Sequence, residues 1–140
     1  MLRRTWMCLL LTVSAACSEP IDYLVVTLTT DRQLAAPGDT VRLLASVYNP
    51  TSSVVEIGYG CGPSLDFRVT DPGGMTISLL EGKFFICPLL DYHVLEPGET
   101  DSIPWTWTTP AERGAYMLRS GVRTSVGLRD LSSPVRVDVQ

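Results

Sequence analysis

The chain has 140 residues, one domain's length, with 45% hydrophobic and 19% charged residues, the composition of a folded domain rather than a disordered chain. Its 15 Asp and Glu outweigh its 11 Lys and Arg, for a net charge of −4 without a basic cluster, which removes the electrostatic footprint of a nucleic-acid binder. After the N-terminal segment no stretch is long and apolar enough to cross a bilayer as a helix.

The chain begins MLRRTWMCLLLTVSAAC, with Arg3 and Arg4, an apolar run from Trp6 to Val13, and small residues Ser14, Ala15 and Ala16 before Cys17. A basic start, a short apolar run and a small-residue end define an export signal, and the run is far short of the roughly 20 residues of a membrane-spanning helix. The expectation is a cleaved signal over residues 1–16, a tether over 17–22 and one domain over 23–140. Small residues followed by cysteine resemble the lipobox of bacterial lipoproteins, although Ser14 stands where leucine is usual. The resemblance implies lipid on Cys17 and a membrane anchor through it; cleavage after Ala16 by ordinary signal peptidase remains the other route. The expected location is the cell envelope. Ser18 in place of aspartate after Cys17 favours the outer membrane or periplasmic face.

Beyond the tether the hydrophobic period is close to two. In TVRLLASVYN, Val41, Leu43, Ala45 and Val47 share one face, and Arg42, Ser46 and Tyr48 the other. In DFRVT, Phe67 and Val69 alternate with Arg68 and Thr70, and in PVRVDV three valines alternate with Arg136 and Asp138. One dry face and one wet face suit antiparallel sheets. The signals APGD at 36–39, NPTS at 49–52, DPGG at 71–74, EPGE at 96–99 and ERG before Ala115 mark turns, with proline presetting one position and glycine supplying positive φ. They bracket candidate strands near 23–30, 40–49, 54–59, 65–70, 75–79, 93–95, 100–107, 115–122 and 135–139. No window shows capped helical periodicity. Short strands at this spacing predict an all-β, antiparallel β-sandwich of about seven to nine short strands. In GAYML, Tyr116 enters a late strand just after a turn, either as the tyrosine corner of an immunoglobulin-like fold or as ordinary core.

Catalysis needs convergent groups, and the sequence supplies few. His93 is the only histidine, which leaves no cluster for zinc and no spare base for a nucleophile. There is no phosphate-cradling glycine loop and no nucleophile elbow. Asp66, Asp71, Asp91, Glu96, Glu99 and Asp101 are scattered over turns and outward strand positions. No catalytic residue, metal or cofactor is expected. Trp105 and Trp107 share a strand face with Ile103, as core or as an exposed aromatic stripe. The segment EGKFFICPLLDYH carries Phe84, Phe85, Ile86, Leu89 and Leu90, more apolar surface than a solvated loop normally holds. It is either a buried strand or lid, or a segment that recognises a protein.

In order along the chain, VYNPTSSVVEI, LDFRVTDPGG, HVLEPGE, IPWTW and RGAYMLRSGV resemble the motifs of the BsuPI family, named for an intracellular bacterial proteinase inhibitor. The resemblance covers about residues 24–122. It implies an immunoglobulin-like β-sandwich, no catalytic centre and a protein partner, a proteinase in the founding case. It carries no inhibitory residue onto a numbered position, and the export signal departs from an intracellular inhibitor. The expected function is that of a non-enzymatic envelope lipoprotein with a protein-binding, proteinase-inhibitor-like domain. The alternative is a structural or assembly accessory of an envelope complex.

Export also bears on the four cysteines. Cys8 leaves with the signal and Cys17 takes lipid, so Cys61 in GYGCGPSLDF and Cys87 remain as a pair in an oxidising compartment. They are expected to form a disulfide, the other state being two buried thiols. Closing that loop would contribute about 3.5 kcal/mol in the chain-entropy model.

Overall fold

Period-two alternation gives each long strand one apolar face, and in the computed structural model two sets of such faces close on each other. The structure describes residues 24–57, 61–83, 93–124, 127–129 and 131–140. Among these the regular elements are all strands: β1 (Val25–Thr30), β2 (Leu34–Ala35), β3 (Thr40–Tyr48), β4 (Val55–Ile57), β5 (Leu65–Thr70), β6 (Thr76–Ser78), β7 (His93–Leu95), β8 (Thr100–Thr108), β9 (Gly114–Thr124), β10 (Gly127–Arg129) and β11 (Val135–Val139). Every run predicted from the sequence overlaps one of them, β8 and β9 extending past the runs predicted over 100–107 and 115–122. β2 and β10 are additional, too short to display a period.

One sheet has the order β1-β3-β8 and the other β2-β11-β9-β5-β6, with β10 paired to β9; β4 and β7 form a separate ribbon. The described pairings are antiparallel except β2 with β11, which is parallel. This parallel pair is the departure from the antiparallel expectation. After β1 the chain leaves the first sheet and joins the edge of the second, so the N-terminal strand is shared between the layers. Asp31 marks the departure: its Oδ1 accepts a hydrogen bond from Arg42 N at 2.9 Å.

The core lies between the sheets. Val26 and Leu28 of β1, the four apolar residues Val41, Leu43, Ala45 and Val47 of β3, and Trp107 of β8 face Leu65, Phe67 and Val69 of β5, Leu118 and Val122 of β9, and Val137 and Val139 of β11. Each large aliphatic side chain removed from water contributes about 1.5–3 kcal/mol. Ile103 and Trp105 pack partly buried against this core, so the shared face of β8 is interior, as one of the two sequence readings had it. Across the layers Phe67 stacks on Trp105 with centroids 5.8 Å apart, and Trp107 meets Tyr116 tilted at 5.4 Å.

Tyr116 resolves as a tyrosine corner. Its ring is in the core and its hydroxyl donates to Glu112 O at 2.9 Å, tying the β8–β9 connection to the strand it feeds. The turns APGD and EPGE share one construction. Asp39 N donates to Ala36 O and Glu99 N to Glu96 O, with the intervening Gly38 and Gly98 at φ of 86° and 78°. In each, the acidic side chain reaches back to accept from the first residue of the turn, Asp39 from Ala36 N at 2.9 Å and Glu99 from Glu96 N at 2.8 Å.

Candidate protein-binding site

The ribbon of β4 and β7 frames the site. Its register sets Val55 against Leu95 and Ile57 against His93. Ile57 and Leu95 are buried and root the ribbon in the core, whereas Val94 is exposed. The Ile57–His93 pair is the last described pair of the ribbon, so the residue before the glycine-rich stretch stands beside the residue after the apolar segment.

Asn49 holds this ribbon to the sandwich. Fully buried, it donates from Nδ2 to Ser53 O at 2.8 Å and Leu95 O at 2.9 Å, and its Oδ1 accepts from Thr51 N at 3.0 Å and Thr51 Oγ1 at 2.7 Å. Its backbone bonds Glu99 O and Gly98 N. The side chain thus joins the β3–β4 turn to β7, and the backbone of the same residue adds the EPGE turn. The sequence marked Asn49 only as the start of a turn; nothing in NPTS announces burial.

Cys61 is half-buried. Its loop is clamped by Arg123 of β9, whose Nη1 donates to Cys61 O at 2.9 Å and Pro63 O at 3.2 Å, while Arg123 N donates to Ser64 O. Among the predicted site residues, Cys17, Phe84, Phe85, Ile86, Cys87, Leu89 and Leu90 lie outside the described residues.

The approaches to the apolar segment are described. Lys83 places its ammonium 5.2 Å from the centroid of the Trp105 ring, a cation–π contact that holds the chain against β8 where segment 84–92 begins. Around this contact lies a shallow depression of about 410 Å³, lined by Arg42, Lys83, Pro104, Trp105 and Thr106. A second, of about 430 Å³, opens on the other side of Trp105 beside Ile77, Leu79 and Pro110. At the far end of the segment His93 is exposed, with Nε2 3.4 Å from Asp101 Oδ2. This agrees with a surface histidine beside a turn. Lys83 and Arg123 escaped the sequence reading because a lone cation in a loop or strand gives no pattern until its partner is known.

Asp66 departs from the expectation of a solvated outward carboxylate. It points outward from β5 yet is buried, accepting hydrogen bonds from Ser78 Oγ at 2.6 Å and Phe67 N at 2.8 Å. Ser78 of neighbouring β6 covers it. Among the described residues no three His, Cys, Asp or Glu side chains gather as metal ligands, and no helix is long and apolar enough to cross a membrane. Burial pushes the Tyr116 hydroxyl above its ordinary value of 10.0, with Glu112 and Asp71 adding to it.

Comparisons with known proteins place this arrangement. Among solved structures, Spo0M, a sporulation control protein from Bacillus subtilis, aligns at 16% identity over 86% of this chain and 50% of its own, with a TM-score of 0.56. The alkylpurine DNA glycosylase AlkC of Pseudomonas fluorescens aligns at 9% identity over 84% of this chain and 30% of its own, with a TM-score of 0.57. A β-glucosidase, EmGH1 of Erythrobacter marinus, aligns at 14% identity over 84% and 15%, with a TM-score of 0.55. The chain spans half of Spo0M and less of the other two, and at these identities the likeness is one of fold. No curated protein matches in sequence. The profile of the BsuPI family, described as intracellular proteinase inhibitor, matches residues 28–125, from β1 through the end of β9, and the chain belongs to that family.

Proposed function

We propose that this protein is a non-enzymatic, exported and lipid-anchored member of its family, which binds a protein partner of the proteinase class through the apolar segment 84–90. The family match supports the partner class. The observation that carries the choice of surface is the anchoring on both sides of the segment, by Lys83 on Trp105 before it and by His93 in the β4–β7 ribbon after it. A rigid sandwich presenting a loop with fixed ends lowers the ordering cost of binding. A Cys61–Cys87 bond would pin the middle of the same segment. The lipid on Cys17 would hold the domain at the envelope and gives it a location different from the intracellular inhibitor that names the family.

The experiment uses protein purified from the envelope. Its N-terminal peptide is weighed for lipid on Cys17, and the protein is then titrated against a panel of purified proteinases. Inhibition of one of them, weakened roughly tenfold or more by Phe85→Ser with Leu89→Ser in a protein that still folds, is the expected result. A free amino group and no lipid on Cys17 removes the anchor. Stoichiometric co-isolation with an envelope assembly, with no proteinase inhibited, turns the reading to an assembly accessory. Turnover abolished by one substitution would make the protein an enzyme.

A further inference from the structure

The outer face of the second sheet carries arginines where sheet stability alone gives no reason for them. Arg68 of β5 and Arg119 of β9 are direct cross-strand partners, and one step along, Met117 lies between Thr70 and Arg136. Like charges directly opposite each other destabilise an antiparallel pair. The carboxylates on this face relieve the conflict only in part, through the ion pair of Asp66 with Arg68. Asp138 is taken by Arg136 at 2.7 Å. Asp66 is engaged by Ser78 and Phe67 N, and it meets Arg68 Nε only at 3.6 Å, too far for a hydrogen bond, so that this buried nitrogen has no hydrogen-bond partner. Arg119 is exposed and makes no ion pair among the described residues.

The two guanidinium groups border a depression of about 510 Å³ whose remaining wall is apolar on one side, from Met117, Leu131 and Pro134, and is completed by Thr70 and Thr76, whose hydroxyls bond each other at 2.7 Å. Leu131 is half exposed, at 50%. It can lie on β9 because Gly121 has no side chain, a Cβ there falling 2.8 Å from Leu131 Cδ2. Guanidinium forks match carboxylates, and an adjoining apolar wall matches a hydrocarbon side chain. A compact phosphate would use the forks and leave the wall empty.

We propose that this face binds an extended acidic segment of a protein partner, with a carboxylate held by Arg68 and Arg119 and a neighbouring apolar side chain against Met117, Leu131 and Pro134. The site is independent of segment 84–90 and does not require a proteinase partner. It turns a destabilising charge pair into one satisfied on binding, and it gives an acidic chain a local surface complementary to acidic peptides.

The test is fluorescence anisotropy of the purified protein with a labelled peptide alternating leucine and glutamate, and with its glutamine counterpart. The glutamate peptide binds, more weakly as salt rises, and the glutamine peptide binds roughly tenfold or more weakly. Arg119→Gln weakens the glutamate peptide by a similar factor, Arg119→Lys by less, and Arg68→Gln with Arg119→Gln by more. Arg119→Gln leaves the melting temperature unchanged or raises it, because a like-charge contact has gone. Equal binding of the two peptides, unchanged binding by the arginine variants, or inorganic phosphate bound as tightly as the glutamate peptide would each overturn the proposal. So would a fall in melting temperature for Arg119→Gln, which would give the arginine to the fold.

Discussion

Asn49 concentrates more of the loop end than any other side chain described here, since both ends of its buried amide are hydrogen-bonded, to Ser53 O and the buried Leu95 O on one side and to Thr51 on the other. Replacement by alanine removes two donors and leaves Leu95 O and Thr51 N without their partners. The expected loss is on the order of 2–3 kcal/mol, read as a lower urea midpoint with an unchanged slope. A variant as stable as the parent would show that water replaces the amide and that the ribbon does not depend on it. Asp66 makes the same point about legibility. In LDFRVT its outward phase is evident, but it is Ser78 of β6 that meets its carboxylate, and no property of residue 66 encodes that neighbour.

At the scale of elements, the long strands are legible because one buried face imposes a period of two on the sequence. β3 shows this most plainly: Val41, Leu43, Ala45 and Val47 are buried and Arg42 and Leu44 between them are exposed. β2 and β10 are two and three residues long, and a period cannot be expressed over that length. The candidate site was partly legible in the same way. Its apolar segment and its cysteines stand out as composition, whereas the β4–β7 register, which brings Ile57 and His93 together, is a tertiary fact. That register also supports the proposed Cys61–Cys87 bond, because it pairs Ile57, four residues before Cys61, with His93, six residues after Cys87. Reduction is expected to add two hydrogens to the mass and to lower stability by about 3.5 kcal/mol in the chain-entropy model. Recovery of Cys61 joined to a cysteine other than Cys87 would reject the pairing.

Across the whole molecule the relation between the sheets depends on the chain passing from β8 in one to β9 in the other, and the tyrosine corner fixes that passage. Its phenol is held above the ordinary tyrosine value, so the folded protein keeps this proton more tightly than the unfolded chain. The stability this provides is fully present below about pH 10 and is lost as the pH rises through the folded value. Urea midpoints of the parent should therefore fall between about pH 9 and about pH 11 by more than those of Tyr116→Phe. Parallel declines would detach the alkaline loss from Tyr116.

By itself the sequence determined the all-β class, the positions of the longer strands, the proline–glycine turns and the family resemblance, because these rest on local periodicity, on φ preferences and on motifs read along the chain. Tertiary structure alone decided that the N-terminal strand crosses between sheets, that Asn49 and Asp66 are buried and satisfied, that Lys83 rests on Trp105, and that Arg68 stands opposite Arg119. Each of these depends on which distant residue arrives as a neighbour, and pairing across a sheet is set by register and layer packing rather than by any local property of either partner.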